Sequence, residues 1–265
     1  MAIVLDEIEW AKRMITNRDL GKNTVETLTR VAKYYFYNKY SKRDVRDMLD
    51  KFLIQCDPTV SLPRWSDTLD RIVAKSARRK AIQIDHISIT KPEMEIVMGL
   101  ESKQIQRLAF TLLCLAKYGN AVNPNNDNWV TNDDSEIMKM ANIRTSIKRQ
   151  CLMYHNLRND GLLRFSKRID NTSVRVNYIT EGEEELQIYD FRNLGYQYFK
   201  YLGEPYFECQ NCGITTKAEP KSSGRKQKYC KSCAIEVAIK QKVDYAMRRR
   251  GDRYNSNIRP IMETF

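Results

Sequence analysis

The sequence predicts a mainly α chain of the α+β class. It divides into an N-terminal helical domain (1–95), a helical unit closed by a hairpin (96–182), a connector with a cysteine module (183–238) and a basic helical tail (239–265). Three observations carry this. Apolar residues recur at helical spacing through most of the first ninety positions. Between 104 and 179, apolar helical patterns give way to two alternating segments. Two CxxC pairs, Cys209/Cys212 and Cys230/Cys233, stand seventeen residues apart.

In the first domain, Leu5, Ile8, Ala11, Met14 and Ile15 share one helical face, and Val25, Leu28, Val31, Ala32, Tyr35 and Phe36 another after a cap near Asn23. Ser41 with Asp44 forms a capping box ahead of Val45, Met48, Leu49, Phe52 and Leu53. A proline-containing loop leads to a fourth helix with Leu69, Ile72 and Val73 inside, ending in the basic run 75–80, which reads as a solvated helix end or a phosphate contact. Ile82, Ile84, Ile87 and Ile89 suggest a short strand, and Pro92 suits the first turn of the next helix. His86 stands alone and is given no role. The domain's expected job is to dock a partner or form a homodimer.

The middle unit begins with a helix carrying Ile105, Leu108, Ala109, Leu112, Leu113 and Leu115. A polar loop, a short strand at 129–131 and a short helix with Ile137, Met138 and Met140 follow. A turn at Asn142 opens a longer helix, 145–159, whose expected inner face is Ile147, Cys151, Tyr154 and Leu157. Gly161 stops it, and two strands, 162–168 and 173–179, flank a tip at 169–172. Helix, short helix, turn, longer helix, hairpin is the order of a winged helix-turn-helix, whose third helix fits the major groove while the hairpin lies on the backbone. The charges agree: from Arg144 to Arg175, eight basic residues face two acids, a net of +6. Arg144, Thr145, Ser146, Lys148 and Arg149 crowd the start of the third helix, Arg149 as the residue for bidentate contact with guanine. Lys167, Arg168 and Arg175 on the wing are expected on phosphates, which fix position without reading sequence, and Arg164 is a further nucleic-acid-binding candidate.

The acidic run at 181–185 reads as a solvated helix start or a repulsive edge to the DNA surface, and the aromatics of 188–199 as a small core packing the cysteine module onto the hairpin unit. A two-residue gap lets both sulfurs of a tight turn point at one ion, so the two pairs predict one structural Zn2+ held by Cys209, Cys212, Cys230 and Cys233. Four thiolates leave no open coordination position. Good helix sequence after Cys233, with Lys228 and Lys231 nearby to support the thiolates, gives a treble-clef or ribbon-like zinc finger. Beyond it come Arg248, Arg249 and Arg250, nucleic-acid-binding candidates in a tail that either adds phosphate contacts or is simply flexible and basic; from Lys217 onward thirteen basic residues oppose five acids.

The whole chain of 265 residues carries a formal charge of +12, which calls for a polyanionic partner, double-stranded DNA first. No apolar run reaches membrane-spanning length, and reduced cysteines fit a cytoplasm. HExxH, P-loop and GxSxG signatures are missing, which predicts a non-enzyme. The segments 103–110, 139–143, 164–168, 206–213 and 228–234 together resemble small proteins from phages and prophages of Gram-positive bacteria, described as DNA-binding, replication or regulatory factors. That resemblance covers about the C-terminal two thirds and implies a mobile-element transcription regulator or replication factor in the host cytoplasm. It brings no catalytic residues. The alternative from another class is an interaction protein or inhibitor docking on a host protein or nucleoprotein complex, such as RNA polymerase or a defence nuclease.

Overall fold

The computed structural model describes residues 3–167, 173–219 and 226–257, with side chains up to Arg248. Helices α1 (Glu7–Asn17), α2 (Thr24–Tyr37), α3 (Lys42–Cys56) and α4 (Leu62–Ser76) begin where local chemistry starts them. Asp6 accepts from the backbone N–H of Ile8 and Glu9, each at 2.9 Å; Asn23 accepts from Glu26 at 3.2 Å; Ser41 and Asp44 close the expected capping box; Pro63 sits in the first turn of α4. Their apolar faces bury Ala11, Leu28, Val31, Ala32, Val45, Leu49, Phe52, Leu53, Leu69, Ile72 and Val73 in one core. Val25, expected inside, is exposed in the first turn of α2, where Thr27 and Leu28 face inward instead.

A second, larger core begins before the first ends. Leu5, Ile87, Ile89, Met94 and Val97 pack with the residues of the hairpin unit. The boundary expected at 95 therefore falls earlier: strand β1 (Ile87–Thr90) and helix α5 (Lys91–Met98) belong to the second core. The two cores are joined by a buried carboxylate. Glu7 accepts both Lys33 Nζ bonds, at 2.9 and 2.6 Å, and the Ile82 N–H at 2.9 Å. Desolvating a charge is tolerable here because both oxygens have a donor and Arg30 adds a second positive charge 3.5 Å away.

Helix α6 (Lys103–Val122) is the axis of the second core, buried from Leu108 to Ala116. Against it lie α7 (Asp134–Met140), α8 (Ile147–Asn159) and a three-stranded antiparallel sheet. The sheet order is β2 (Trp129–Val130), β4 (Val174–Val176), β3 (Leu163–Phe165). Side chains alternate across it: Leu163, Val174 and Val176 point inward, while Trp129, Arg175 and Arg164 form a row on the opposite face. Tyr178 reaches back to α6, its hydroxyl donating to Ala109 O at 2.7 Å.

The acidic run is not a helix start. Strand β5 (Glu184–Ile188) grows from it and pairs antiparallel with β1, Ile87 opposite Ile188 and Ser88 opposite Gln187. Glu93, fully buried, sits at the base of this pairing. It accepts Lys117 Nζ at 2.9 and 2.7 Å, Thr90 N–H at 2.7 Å and Thr180 N–H at 3.1 Å.

On the open side of the β1–β5 ribbon, His86 Nδ1 meets Asp85 at 2.7 Å and Nε2 meets Glu184 at 3.3 Å. The Asp85 bond, with help from Glu184, raises the imidazole pKa above its ordinary value despite partial desolvation. Because the folded pKa is the higher one, this contribution to stability is complete below the unfolded value of about 6.5 and disappears as pH rises through the folded value. An NMR titration is expected to place the His86 midpoint above that of a free histidine, and His86→Gln to remove the matching pH dependence of β1–β5 amide protection.

Helix α9 (Leu194–Tyr201), the hairpin β6 (Tyr206–Glu208) and β7 (Thr215–Lys217), and α10 (Lys231–Asn257) complete the chain. α10 runs without a break through the boundary expected at 238, so finger helix and tail are one element. Among the described residues no helix is long and apolar enough to cross a membrane.

Candidate metal centre and nucleic-acid interface

The first CxxC pair follows β6 in a tight turn. Gly213 at φ +74° donates its N–H to Cys209 O at 2.8 Å, a backbone conformation that favours glycine. The second pair is drawn alongside by two bonds: Gln210 N–H to Lys228 O at 3.0 Å, and Cys230 N–H to the Cys209 sulfur at 3.3 Å. All four Sγ atoms lie within 4.8 Å of one another, and Cys212 and Cys230 are 3.8 Å apart. A tetrahedral ion with metal–sulfur bonds of about 2.3 Å needs sulfur–sulfur edges of about 3.8 Å. The four cysteines are therefore positioned to hold one metal ion.

The donor chemistry fits as well. Burial pushes the Cys209 thiol up, but N–H groups of Cys230, Cys212 and Asn211 outweigh it and bring the thiol down to about 6. The Ser232 hydroxyl, 3.3 Å away, lowers Cys230. Burial and the neighbouring thiols raise Cys212 to about 12. Such crowding lets some sulfurs ionise only at the expense of others until a cation neutralises them. Lys231, expected to support the thiolates, instead pairs with Glu219 at 2.8 Å, while Lys228 is exposed. The expected turn at 219–225 lies, beyond Glu219, outside the described residues.

The cysteine module is fastened to the hairpin unit, as the aromatic composition of the connector suggested. Tyr206 stacks against Tyr196 and Phe199, with ring centroids at 4.9 and 5.5 Å, and the Arg107 guanidinium lies 4.8 Å over Phe199. Polar bonds give the contact its register. Arg192 Nη2 donates to Cys212 O at 2.6 Å and Asn193 Nδ2 to Thr215 O at 3.0 Å. The same Asn193 accepts from Asn142 Nδ2 at 3.0 Å, and Asn142 sits in the α7–α8 turn at φ +55°. Asn142 also accepts Tyr196 N–H at 3.2 Å and Arg107 Nη1 at 2.8 Å. Two hydrogen-bonded side chains, Asn193 and Asn142, thus link β7 of the cysteine module to the turn that precedes α8.

Half of the face expected for α8 is buried, Tyr154 and Leu157, and half is not, Ile147 and Cys151. Met153, Tyr154 and Leu157 are buried with Gln150 partly so, whereas Ile147 is 78% exposed and Cys151 is exposed. The helix starts at Ile147 after Ser146, so Ile147 has no preceding turn to hold it inward; the stripe 150, 153, 154, 157 faces α6 instead. Ser146 makes no side-chain cap bond and is exposed; Thr145 is half-buried, its carbonyl accepting Gln150 Nε2 at 3.1 Å.

Arg144, Lys148, Arg149 and Arg164 are exposed and make no ion pair among the described residues; Lys167 is likewise exposed. Arg158 lies 5.2 Å over Phe165, and His155 packs edge-on against the same ring at 5.4 Å, which joins α8 to β3. Arg175, expected on a phosphate, is already paired in the fold. It pairs with Asp127, Nη2 to Oδ1 at 2.6 Å and Nε to the backbone oxygen at 3.1 Å. Arg175 stands opposite Arg164 in the sheet, where two like charges repel, so Asp127 makes that pair tolerable. Arg168 lies outside the described residues, as do the side chains of Arg249 and Arg250; Arg248 is exposed on α10.

Sequence reasoning missed the Asn142–Asn193 link and the Arg175–Asp127 pair, which join positions 51 and 48 residues apart. Asn142 as a turn former was the only local signal of either. A scan of protein-family models, a search of curated proteins and a search of solved structures return no match to this chain, so the case for its function rests on the geometry above.

Proposed function

We propose that this chain binds double-stranded DNA, with α6, α7, α8 and the β3–β4 hairpin acting as a winged helix-turn-helix and the four cysteines holding a structural Zn2+ in a treble-clef or ribbon-like finger. The observation that carries the reading is the cluster of exposed cations without ion pairs at the start of α8 and on β3: Arg144, Lys148, Arg149 and Arg164. A helix of this kind enters the major groove with its N-terminal residues on base edges, and the strand residues meet phosphates. Transcription control or replication of a mobile element is the role this reading suggests.

Selection of bound sequences from random duplex DNA at physiological salt tests it directly. A consensus is expected, with affinity falling steeply as salt rises; four phosphate contacts, by Arg144, Lys148, Arg164 and Lys167, correspond to a log–log slope of roughly −3 to −4. Arg149→Ala is expected to cost about 1–2 kcal/mol and to relax one base position. A flat selection at all salt concentrations overturns the proposal.

A second reading has its own support. α10 carries Ile235, Ile239, Val243 and Met247 exposed at four-residue spacing, a row suited to docking on a protein. In that reading the chain is an interaction protein or inhibitor of a host nucleic-acid machine, and its affinity survives both added salt and Arg149→Ala.

A further inference from the structure

The outward side of α8 is not purely cationic. At about 100° per residue, Lys148, Leu152 and His155 lie opposite the buried stripe, Cys151 lies beside them, and Ile147 stands at the stripe's edge, exposed because it opens the helix. Ile147 is 78% and Leu152 55% exposed, although both are branched aliphatics. A helix that touches only phosphates gains nothing from such side chains. The cations around them, Arg144, Lys148 and Arg149, select a polyanion, so the surface fits a polyanion that also offers small apolar groups.

B-form DNA meets that description in its major groove, where each thymine presents a C5 methyl. Double-stranded RNA does not, since its bases lack the methyl and its major groove is too deep and narrow for a helix. We propose that Ile147 and Leu152 are specificity-determining residues that read thymine methyl groups. This rests on the duplex-DNA reading of the same helix. The two residues are five apart, about 7.5 Å along the helix at about 1.5 Å per residue, which spans about two base steps. They lie roughly 140° apart around the axis, so they face opposite walls of the groove, with Lys148 between them. The expected signature is two thymines on opposite strands about two steps apart, next to the position read by Arg149.

The test uses the full chain with its metal and the duplex enriched from the random pool, prepared once with thymine and once with deoxyuridine in its place. Removing a methyl from an apolar contact weakens binding about fourfold, so roughly fifteenfold is expected for two. The double variant Ile147→Ala, Leu152→Ala changes only solvent-exposed side chains. It is expected to bind both duplexes equally and to keep the wild-type salt slope. Equal binding of both duplexes by the wild type overturns the methyl reading and leaves DNA binding standing. Failure to enrich any duplex overturns both. An unchanged thymine preference in the double variant also overturns the assignment, and if that variant instead loses capture of a host protein, this face is a protein-docking surface.

Discussion

Stripping the metal with a strong chelator is expected to unfold residues 206–233 and leave both larger cores folded. The reason is the size of the module's own core. Cys209, Cys230 and Cys233 are its buried members, with Cys212, Ile214 and Tyr229 packed around them. So few apolar side chains cannot offset the entropy of ordering the turns; under the zinc proposal the metal–sulfur bonds supply the difference, since structural zinc sites of this type contribute about 10–16 kcal/mol of apparent binding energy at neutral pH. Metal analysis is expected to find one zinc per chain, with rapid proteolysis beyond Gly203 after chelation and an unchanged far-ultraviolet signal from the N-terminal helices. Cys209→Ser is expected to reproduce the cleavage. A melting curve and a cleavage pattern identical with and without chelator would remove the metal from the account.

Gly195→Ala is expected to be the most damaging substitution outside the cysteines. A Cβ at this position lands 2.0 Å from Ala141 O and 2.6 Å from the Ala141 carbonyl carbon. Both are backbone atoms in the α7–α8 turn, so neither can swing aside as a side chain would. α9 must therefore back away, and with it go the bonds of Asn142 to Asn193 and to the Tyr196 N–H. The expected cost is about 3 kcal/mol or more, seen as a fall in melting temperature of roughly 6–12 °C. Gly99→Ala is the control: there a Cβ comes no closer than 3.4 Å to Glu95 O, an ordinary contact, and little change is expected. If Gly195→Ala melts like the control, the close approach of α9 to the turn is not what holds the two modules together. If it melts early yet still binds one zinc per chain, the docking and the four-cysteine cluster are separable.

The features visible in the sequence were those whose causes are local. The Ser41 capping box, the Asn142 turn and the four-cysteine cluster each depend on residues close in sequence or on a spacing that only one geometry satisfies. The features that escaped depend on partners far along the chain. Nothing near Glu184 announces a strand, because the strand exists through its pairing with β1 nearly a hundred residues earlier. Arg175 counts as a free cation until Asp127 is brought beside it. The face of α8 was misjudged for a subtler reason: Ile147 and Cys151 fit the helical period, but the stripe of Gln150, Met153, Tyr154 and Leu157 fits it too, and only packing on α6 decides between them.

The β1–β5 ribbon has a mechanical corollary. Lys91 N–H donates to Glu183 O at 2.9 Å, so the chain leaves the ribbon and returns to it at a single point. Glu93 closes the base of the intervening segment by accepting Thr180 N–H, and α9 holds the same segment farther out through the Asn142–Asn193 bond and the close approach of Gly195 to Ala141. A graft of this unit into another scaffold must therefore carry α9 along, because a cut at 183 would strip Ile188, Phe191, Leu194 and Tyr198 from the core they share with α6.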